Sequence, residues 1–416
     1  MRYLSCARAL LTRSLPLYVH YGVTHRCNLN CRMCGLWKIG RQETELTLPQ
    51  IQQMAKNLHQ LGTAAISLGG GEPFLRSDLP EIIQAFMDNG LEVRLLTNGL
   101  VKNQQLIERV CATGLRHISI SLDTLDSAVQ DDICSRPGAW NEIIEAIKMW
   151  SEILRPRRGL GVLNCVVSEL NFRNIIRLLQ VADAYGFYLS LVPIELHSYQ
   201  EKDLGCRDSF SDMPFKAEDY EELTQLFQKL IAMKRSGHSR LFNSSSYLRG
   251  CLSYLKGEKP RNFHCRAGAI SFSVSPEGYY SMCHYHSGLG QGANSAGTDS
   301  AGTGSAGADS ASTSSAGAVS ACTSSTGSAS SPRISAASPD FVSWYKKSHA
   351  AALTSLTARQ CHRCFRPCWQ EINLALTDPS SFWEALFMQA PLPMPADLPS
   401  PQQLRTRLGL DTPKPN

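Results

Sequence analysis

The chain has 416 residues, 43% hydrophobic and 19% charged, which is enough apolar content for one large core or two moderate ones and excludes a globally disordered protein. Its net charge of +5 gives no reason to expect a nucleic-acid partner, which would gather basic residues into a cluster or stripe. Fifteen cysteines come without a signal peptide or a small secreted frame, and no stretch reaches the roughly eighteen apolar residues of a membrane span, so a reducing, cytoplasmic setting with no membrane partner is expected.

Residues 1–16 read as a lead-in, with Arg2, Arg8 and Arg13 interrupting any apolar run. An apolar strand over 17–23 then delivers Cys27, Cys31 and Cys34 within eight residues. Three soft thiolates at that spacing ask for a metal; they supply three ligands of an iron–sulfur cubane and leave its fourth iron open. Zinc is the alternative, and it normally takes a fourth protein ligand, for which His25 is the local candidate.

A helix follows from Leu48, with Thr47 at its N-cap, Pro49 in its first turn, and Ile51, Met54, Ala55 and Leu58 on one face. The second strand, 64–68, runs into Gly69-Gly70-Gly71-Glu72-Pro73. Glycines let a backbone approach a ligand closely, and a carboxylate can accept from an ammonium group. After a helix carrying Leu79, Ile82, Ile83, Phe86 and Met87, a strand over 92–96 closes in Thr97-Asn98-Gly99. A helix near 103–113 leads to a strand over 117–122, at whose end stand Ser121 and Asp123. A helix over 140–153, a strand over 161–167 holding the polar Asn164, a helix over 172–185, a strand over 188–193 and a long helix bearing Leu223, Leu226, Phe227 and Leu230 complete six strand–helix units. Apolar strands each followed by an amphipathic helix imply an α/β fold with a parallel sheet covered on its outer face. A full barrel would need eight units, and no G-x-G-x-x-G follows the first strand as an open dinucleotide-binding sheet would require.

The C-x3-C-x2-C spacing after the first strand resembles the signature of the radical S-adenosylmethionine (radical SAM) superfamily. The resemblance implies a partial (β/α)6 TIM-like barrel over 17–240, since six units is the number in that family's core. It also implies a 4Fe-4S cluster on Cys27, Cys31 and Cys34, whose unique iron is chelated by S-adenosylmethionine (SAM), and reductive cleavage of SAM to a 5'-deoxyadenosyl radical. By the same resemblance Gly70, Gly71 and Glu72, with Pro73 closing the motif, bind the amino group of SAM's methionine moiety, and Asn98, Ser121, Asp123 and Asn164 offer polar contacts to its methionyl group and ribose. Met33 stands where relatives usually carry an aromatic near the adenine, an apolar role that methionine can fill. Asp132 and Arg136 partly match a H-D-x-x-R-G-like stretch, with Gln130 or Asp131 in place of the histidine.

Beyond about residue 240 the alternation stops. Residues 241–256 read as helical, and strands over 270–274 and 279–282 flank the turn Ser275-Pro276-Glu277-Gly278 within Cys265-x12-Gly278-x4-Cys283; Cys361-x2-Cys364-x3-Cys368 follows later. Together these resemble the SPASM or shorter twitch extension of radical SAM enzymes. That implies a small cysteine-rich α+β extension over 241–390 with an auxiliary 4Fe-4S cluster on Cys265, Cys283, Cys361 and Cys364, leaving Cys368 outside the ligand set. Residues 294–328 form seven pentamers of the type x-Ser-Ala-Gly-Thr, decaying toward the end. Such small residues cannot bury enough apolar surface to fold, so 291–336 is expected to be a disordered insertion. The proline-rich tail, 391–416, lacks a helical period and reads as a loose strap. Cys6, Cys111, Cys134, Cys165, Cys206 and Cys251 have no partner spacing and are taken as buried or incidental thiols; Cys134 and Cys206 are placed in loops near the barrel mouth.

The function implied is that of a radical SAM enzyme taking hydrogen from a peptide, a protein or a small molecule, its auxiliary cluster aiding oxidation or substrate positioning, with a reductant such as flavodoxin or ferredoxin. Only about twenty-six residues precede Cys27, too few for a separate leader-binding domain; a peptide substrate is still slightly preferred. The competing class is a non-catalytic iron–sulfur or zinc protein, which would have no use for the Gly70-Gly71-Glu72 cofactor motif. Motifs do not single out a catalytic side chain, because the cofactor performs the hard step and the barrel lining chooses the C–H bond.

Overall fold

Apolar runs of similar length, separated by helices, pair side by side in one direction. The computed structural model describes residues 16–39, 44–195, 212–237, 240–258, 260, 267–282, 334–354, 395 and 397–408. Its strands are β1 (Tyr18–Thr24), β2 (Ala65–Gly70), β3 (Glu92–Thr97), β4 (His117–Ser121), β5 (Leu160–Val167), β6 (Tyr188–Pro193), β7 (Ser271–Val274) and β8 (Tyr280–Ser281). They form one open sheet in the order β6-β5-β4-β3-β2-β1-β7-β8, parallel throughout except for the β7–β8 hairpin. All described elements belong to one compact unit.

The period of two along each strand decides what the two sheet faces do. In β1, Val19, Tyr21 and Val23 are wholly buried in the core, whereas the alternate residues Tyr18 and His20 line a cavity. The same division puts Ile66 and Leu68 of β2 in the core and Ser67 and Gly69 on the cavity, and it puts Leu163 and Cys165 of β5 in the core and Asn164 and Val166 on the cavity. The core face is covered by α2 (Leu48–Leu61), α3 (Leu79–Asp88), α4 (Gln104–Ala112), α6 (Ala139–Leu154) and α7 (Ile175–Tyr185), which follow the short α1 (Leu36–Ile39) and alternate with the strands; α5 (Ser127–Cys134) precedes α6. In α2 the backbone N–H of Thr47 donates to Gln50 Oε1 at 2.9 Å, Ile51, Met54, Ala55 and Leu58 are buried as their spacing predicts, and Gly62 ends the helix at a φ of 81°. Two further helices, α8 (Tyr220–Arg235) and α9 (Ser245–Leu255), follow β6.

Four features differ from the expectation. Helix α5 stands where the sequence pattern predicts a loop; its start is set by Asp126, whose Oδ1 accepts from the N–H of Ala128 at 3.1 Å and of Val129 at 3.2 Å. Cys134 is therefore the last residue of a helix. The β7–β8 hairpin, expected as part of a separate extension, adds a parallel strand to β1, with Tyr18, Val19, His20 and Tyr21 opposite Ser271, Phe272, Ser273 and Val274. The tail is no loose strap where it is described, since α11 (Pro401–Arg407) is capped by Ser400 and buries Leu404. Just before it, Tyr185 Oη donates to the carbonyl of Pro399 at 3.0 Å.

Helix α10 (Phe341–Thr354) packs on the hairpin through Phe272, Tyr280, Phe341, Trp344 and Tyr345, whose ring centroids lie 5.0 to 6.2 Å apart. Ile334–Ala336, assigned to the insertion, pair with the hairpin: Tyr280 N–H donates to Ile334 O at 3.0 Å and Ala336 N–H to Gly278 O at 2.7 Å. The pentamer repeat 294–328 and Cys6, Cys206, Cys265, Cys283, Cys361, Cys364 and Cys368 lie outside the described residues. Among the described residues no helix is long and apolar enough to cross a membrane.

Candidate cofactor and metal site

The cysteine loop leaves the C-terminal end of β1 and rests directly on the glycines that end β2. Gly71 N–H donates to Thr24 O at 2.7 Å and Glu72 N–H to Arg26 O at 2.8 Å. A Cβ on Gly70 would lie 2.3 Å from Thr24 O and one on Gly71 2.0 Å from Arg26 O, so only glycine allows the two backbones to touch. Gly70 also holds a φ of 108°. Gly69 makes room of another kind, since a Cβ there would meet the imidazole of His20 at 2.9 Å. The triple glycine is thus a seat for the cysteine loop.

Asn98, at the end of β3, ties the loop from its other side. Its Nδ2 donates to Asn28 Oδ1 at 2.7 Å and lies 3.9 Å from Cys27 Sγ, while Asn28 Nδ2 donates to Leu100 O at 2.7 Å. Glu72 orients Asn98 from below. It is fully buried, its Oε2 accepting from Asn98 N–H at 2.8 Å and its Oε1 from Thr97 Oγ1 at 2.9 Å and Phe74 N–H at 3.2 Å. Burial pushes its carboxyl up to about 7 against the lowering effect of those donors. The carboxylate therefore points into the β2–β3 junction, and neither Glu72 nor the buried Pro73 lines the cavity.

The cavity has a volume of about 420 Å³, within the usual range for small-molecule sites. Cys27, Cys31 and Cys34 line it together with Gly70, Gly71, Asn98, Ser121, Asp123 and Asn164. None of the three cysteines is in a disulfide and all three are half-buried, and burial raises the Cys27 thiol. Ser121 and Asn164 stand opposite each other in the β4–β5 ladder. Asp123 accepts from Val166 N–H at 2.7 Å, and burial pushes its carboxyl up to about 6.

His25 is turned away from the thiols: it is buried, with Nε2 3.2 Å from Glu277 Oε1 in the hairpin turn. Asp132 and Arg136 also serve the fold, pairing with Arg32 at 2.6 Å and Glu142 at 2.9 Å, and Asp131 accepts from the N–H groups of Gly138 and Trp140 at the start of α6. The cavity also takes in His20 and Trp37, which no motif marks, together with Gln130 from the partly matched H-D-x-x-R-G-like stretch and Cys134. His20 was legible from the alternation of β1, in which it is out of phase with Val19, Tyr21 and Val23; its Nδ1 is 2.8 Å from Ser67 Oγ on β2.

Among the described residues no three His, Cys, Asp or Glu side chains gather closely enough to hold one metal ion. A cubane asks for something else, namely one thiolate for each of three irons beside an open position. Three thiols outside any disulfide, lining a cavity with polar strand ends, fit a 4Fe-4S cluster and a small cofactor.

Residues 21–181 match the family model described as the radical SAM superfamily, and this segment is a radical SAM domain. An AdoMet-dependent heme synthase of Methanosarcina barkeri is 30% identical over 172 residues, 41% of this chain and 48% of that protein. A PqqA peptide cyclase of Bradyrhizobium diazoefficiens is 25% identical over 274 residues, 66% of this chain and 68% of that one. The chain thus spans about half the length of the first of these relatives. Among solved structures, SuiB of Streptococcus suis bound to S-adenosylmethionine superposes with a TM-score of 0.52 at 17% identity, covering 70% of this chain and 66% of that one. The likeness extends to the fold, a mostly parallel, open α/β sheet of the partial-barrel kind.

Proposed function

We propose that the chain is a radical SAM enzyme that modifies a peptide or protein. The observation that carries this reading is the convergence of Cys27, Cys31 and Cys34 with Gly70, Gly71, Asn98, Ser121, Asp123 and Asn164 on one cavity at the C-terminal ends of parallel strands, where such folds place their chemistry. In this reading the three cysteines hold a 4Fe-4S cluster and the polar strand ends bind SAM, with Glu72 and Pro73 bracing that edge from behind. When bound, the cluster and SAM supply an electron and then a carbon radical able to take hydrogen from an unactivated C–H bond. The chain contributes orientation and exclusion of water: Leu29, Met33, Trp37, Ile143 and Val192 wall the cavity with apolar surface.

Support for a peptide substrate comes from the name of the peptide cyclase to which most of the chain aligns; the name of the heme synthase favours a small molecule. An auxiliary 4Fe-4S cluster on Cys265, Cys283, Cys361 and Cys364, a SPASM- or twitch-like extension, a flavodoxin or ferredoxin as reductant and a cytoplasmic location belong to the same proposal and rest on the sequence. The test is anaerobic reconstitution of the full chain. Iron and sulfide sufficient for two 4Fe-4S clusters are expected, and formation of 5'-deoxyadenosine from SAM with dithionite. Replacing Cys27, Cys31 and Cys34 by alanine should leave about half the iron and abolish 5'-deoxyadenosine. Stoichiometric zinc without iron overturns the proposal.

A further inference from the structure

Asn98 closes β3 in a turn that fixes its backbone and its side chain together. Its N–H donates to the buried carboxylate of Glu72 at 2.8 Å, and Gly99 follows at a φ of 83°. The side-chain Oδ1 accepts from the N–H of Leu100, two residues on, at 2.8 Å, the local bond that favours Asn and Asp in such turns. A backbone N–H only donates, so the amide oxygen must face Leu100 and the amide nitrogen must face the other way.

What the nitrogen faces is the cysteine loop. Nδ2 carries two hydrogens, and it has two acceptors there: Asn28 Oδ1 at 2.7 Å and, at the longer distance a sulfur takes, Cys27 Sγ at 3.9 Å. Asn28 is oriented in turn, because its own Nδ2 donates to Leu100 O at 2.7 Å and its oxygen is left to accept from Asn98. An Asp at position 98 could make the same turn but would bring no hydrogen to the loop, so the turn alone does not account for an amide. Both donors of Asn98 are thus committed to the loop, although the residue borders the cavity.

We infer that Asn98 is a positioning residue of the cluster: its side-chain N–H donates to the Cys27 thiolate and raises the reduction potential of the cluster held there. Ser121, Asp123 and Asn164 are left as the polar strand ends for SAM. The inference rests on the cluster of the proposed function. A metal-binding cysteine is a thiolate and can only accept, so the direction of this bond does not depend on the protonation of either partner. Reduction adds negative charge that spreads onto the sulfurs, and a donor aimed at one of them stabilises the reduced form more than the oxidised one. At 3.9 Å the contact is long, and the shift it produces is correspondingly small.

The test is an EPR-monitored redox titration of the anaerobically reconstituted full chain without SAM, following the reduced-cluster signal that a separate addition of SAM changes. Asn98→Ala is expected to lower the reduced-to-oxidised ratio at fixed potential about threefold, a shift of about 28 mV for a one-electron couple at about 59 mV per tenfold. Asn28→Ala breaks the tie to the loop but leaves the Asn98 amide oriented by Leu100, so its ratio should stay within about 1.5-fold of the wild type. Equal potentials for wild type and Asn98→Ala overturn the inference, and a weaker affinity for SAM in that variant would then assign the amide to the cofactor. An equal shift in both variants also overturns it, in favour of the tie. Should Asn98→Ala assemble no cluster, Asn98→Asp, which keeps the turn and lacks the donor, takes its place with the same expected direction. Failure of both to assemble overturns the inference in favour of a purely structural role. A wild-type chain that binds no cluster defeats the proposed function itself, whereas a normal cluster with an unshifted Asn98 variant defeats this inference alone.

Discussion

A methyl group at position 71 would reach to 2.0 Å from the carbonyl oxygen of Arg26, which also accepts from the N–H of Glu72. Neither atom can move aside without moving Cys27. Gly71→Ala is therefore expected to lose most of the iron bound on reconstitution while keeping its helical circular dichroism; full iron content in that variant would refute the seat. Glu72 makes a different prediction. Its oxygens face Phe74 N–H, Thr97 Oγ1 and Asn98 N–H, so in Glu72→Gln the amide NH2 must oppose a donor, at a cost of about 1–3 kcal/mol. The folded carboxyl titrates at about 7, above its ordinary value of 4.5. Between those values the folded chain holds a proton that the unfolded chain releases, so this group's contribution to stability falls as pH rises through that window. The glutamine variant has no such loss, and the stability gap measured by urea unfolding should narrow between pH 5 and pH 8; a gap that stays constant would show Glu72 ionised throughout. The motif made Glu72 visible in the sequence but not its direction, because spacing alone does not say that three donors already surround it.

At the scale of elements, most strands and helices that a period of two or of 3.6 specifies were legible to within a residue or two, the helices expected over 172–185 and 241–256 starting later, at Ile175 and Ser245. Val19, Tyr21 and Val23 against Tyr18 and His20, or Ile51, Met54, Ala55 and Leu58 on one side of α2, write their own burial. What was not legible depends on partners remote in sequence. Ser-Phe-Ser-Val reads as a short strand, yet nothing in it says that it pairs with β1; nor does His25 in the cysteine loop announce Glu277 of the hairpin turn. The tail helix was hidden by its prolines, although Pro401 after the capping Ser400 marks a start rather than a stop. Its docking is specific: Leu404 is 1% exposed and Arg405 lies 4.9 Å from the ring centre of Trp140 in α6. Leu404→Ala should cost about 2 kcal/mol or more by the usual large-to-small penalty, seen as a lower thermal midpoint with iron content unchanged. No change in the midpoint would mean that α11 adds nothing to the core.

For the molecule as a whole, the pentamer repeat interrupts a unit whose two sides are already joined. Before it, the β7–β8 hairpin holds Gly278 and Tyr280; after it, Ile334 and Ala336 return to those same residues through Tyr280 N–H to Ile334 O and Ala336 N–H to Gly278 O. Asn57 of α2 fastens the returning chain, its Nδ2 donating to Ala336 O and Ser338 O, both at 2.8 Å. Tyr345 Oη then donates to Gly268 O at 2.9 Å, bridging α10 to the approach to β7. None of these bonds involves the repeat. Removing 294–328 shortens the connection about threefold, and since closure entropy changes only with the logarithm of loop length, the fold should gain about 1 kcal/mol at most. The expected result is a deletion chain with the same iron content and a thermal midpoint equal to or slightly above that of the full chain. A fall in either would mean that the repeat carries contacts of its own, because nothing in the joined backbone at 280 and 334 depends on it.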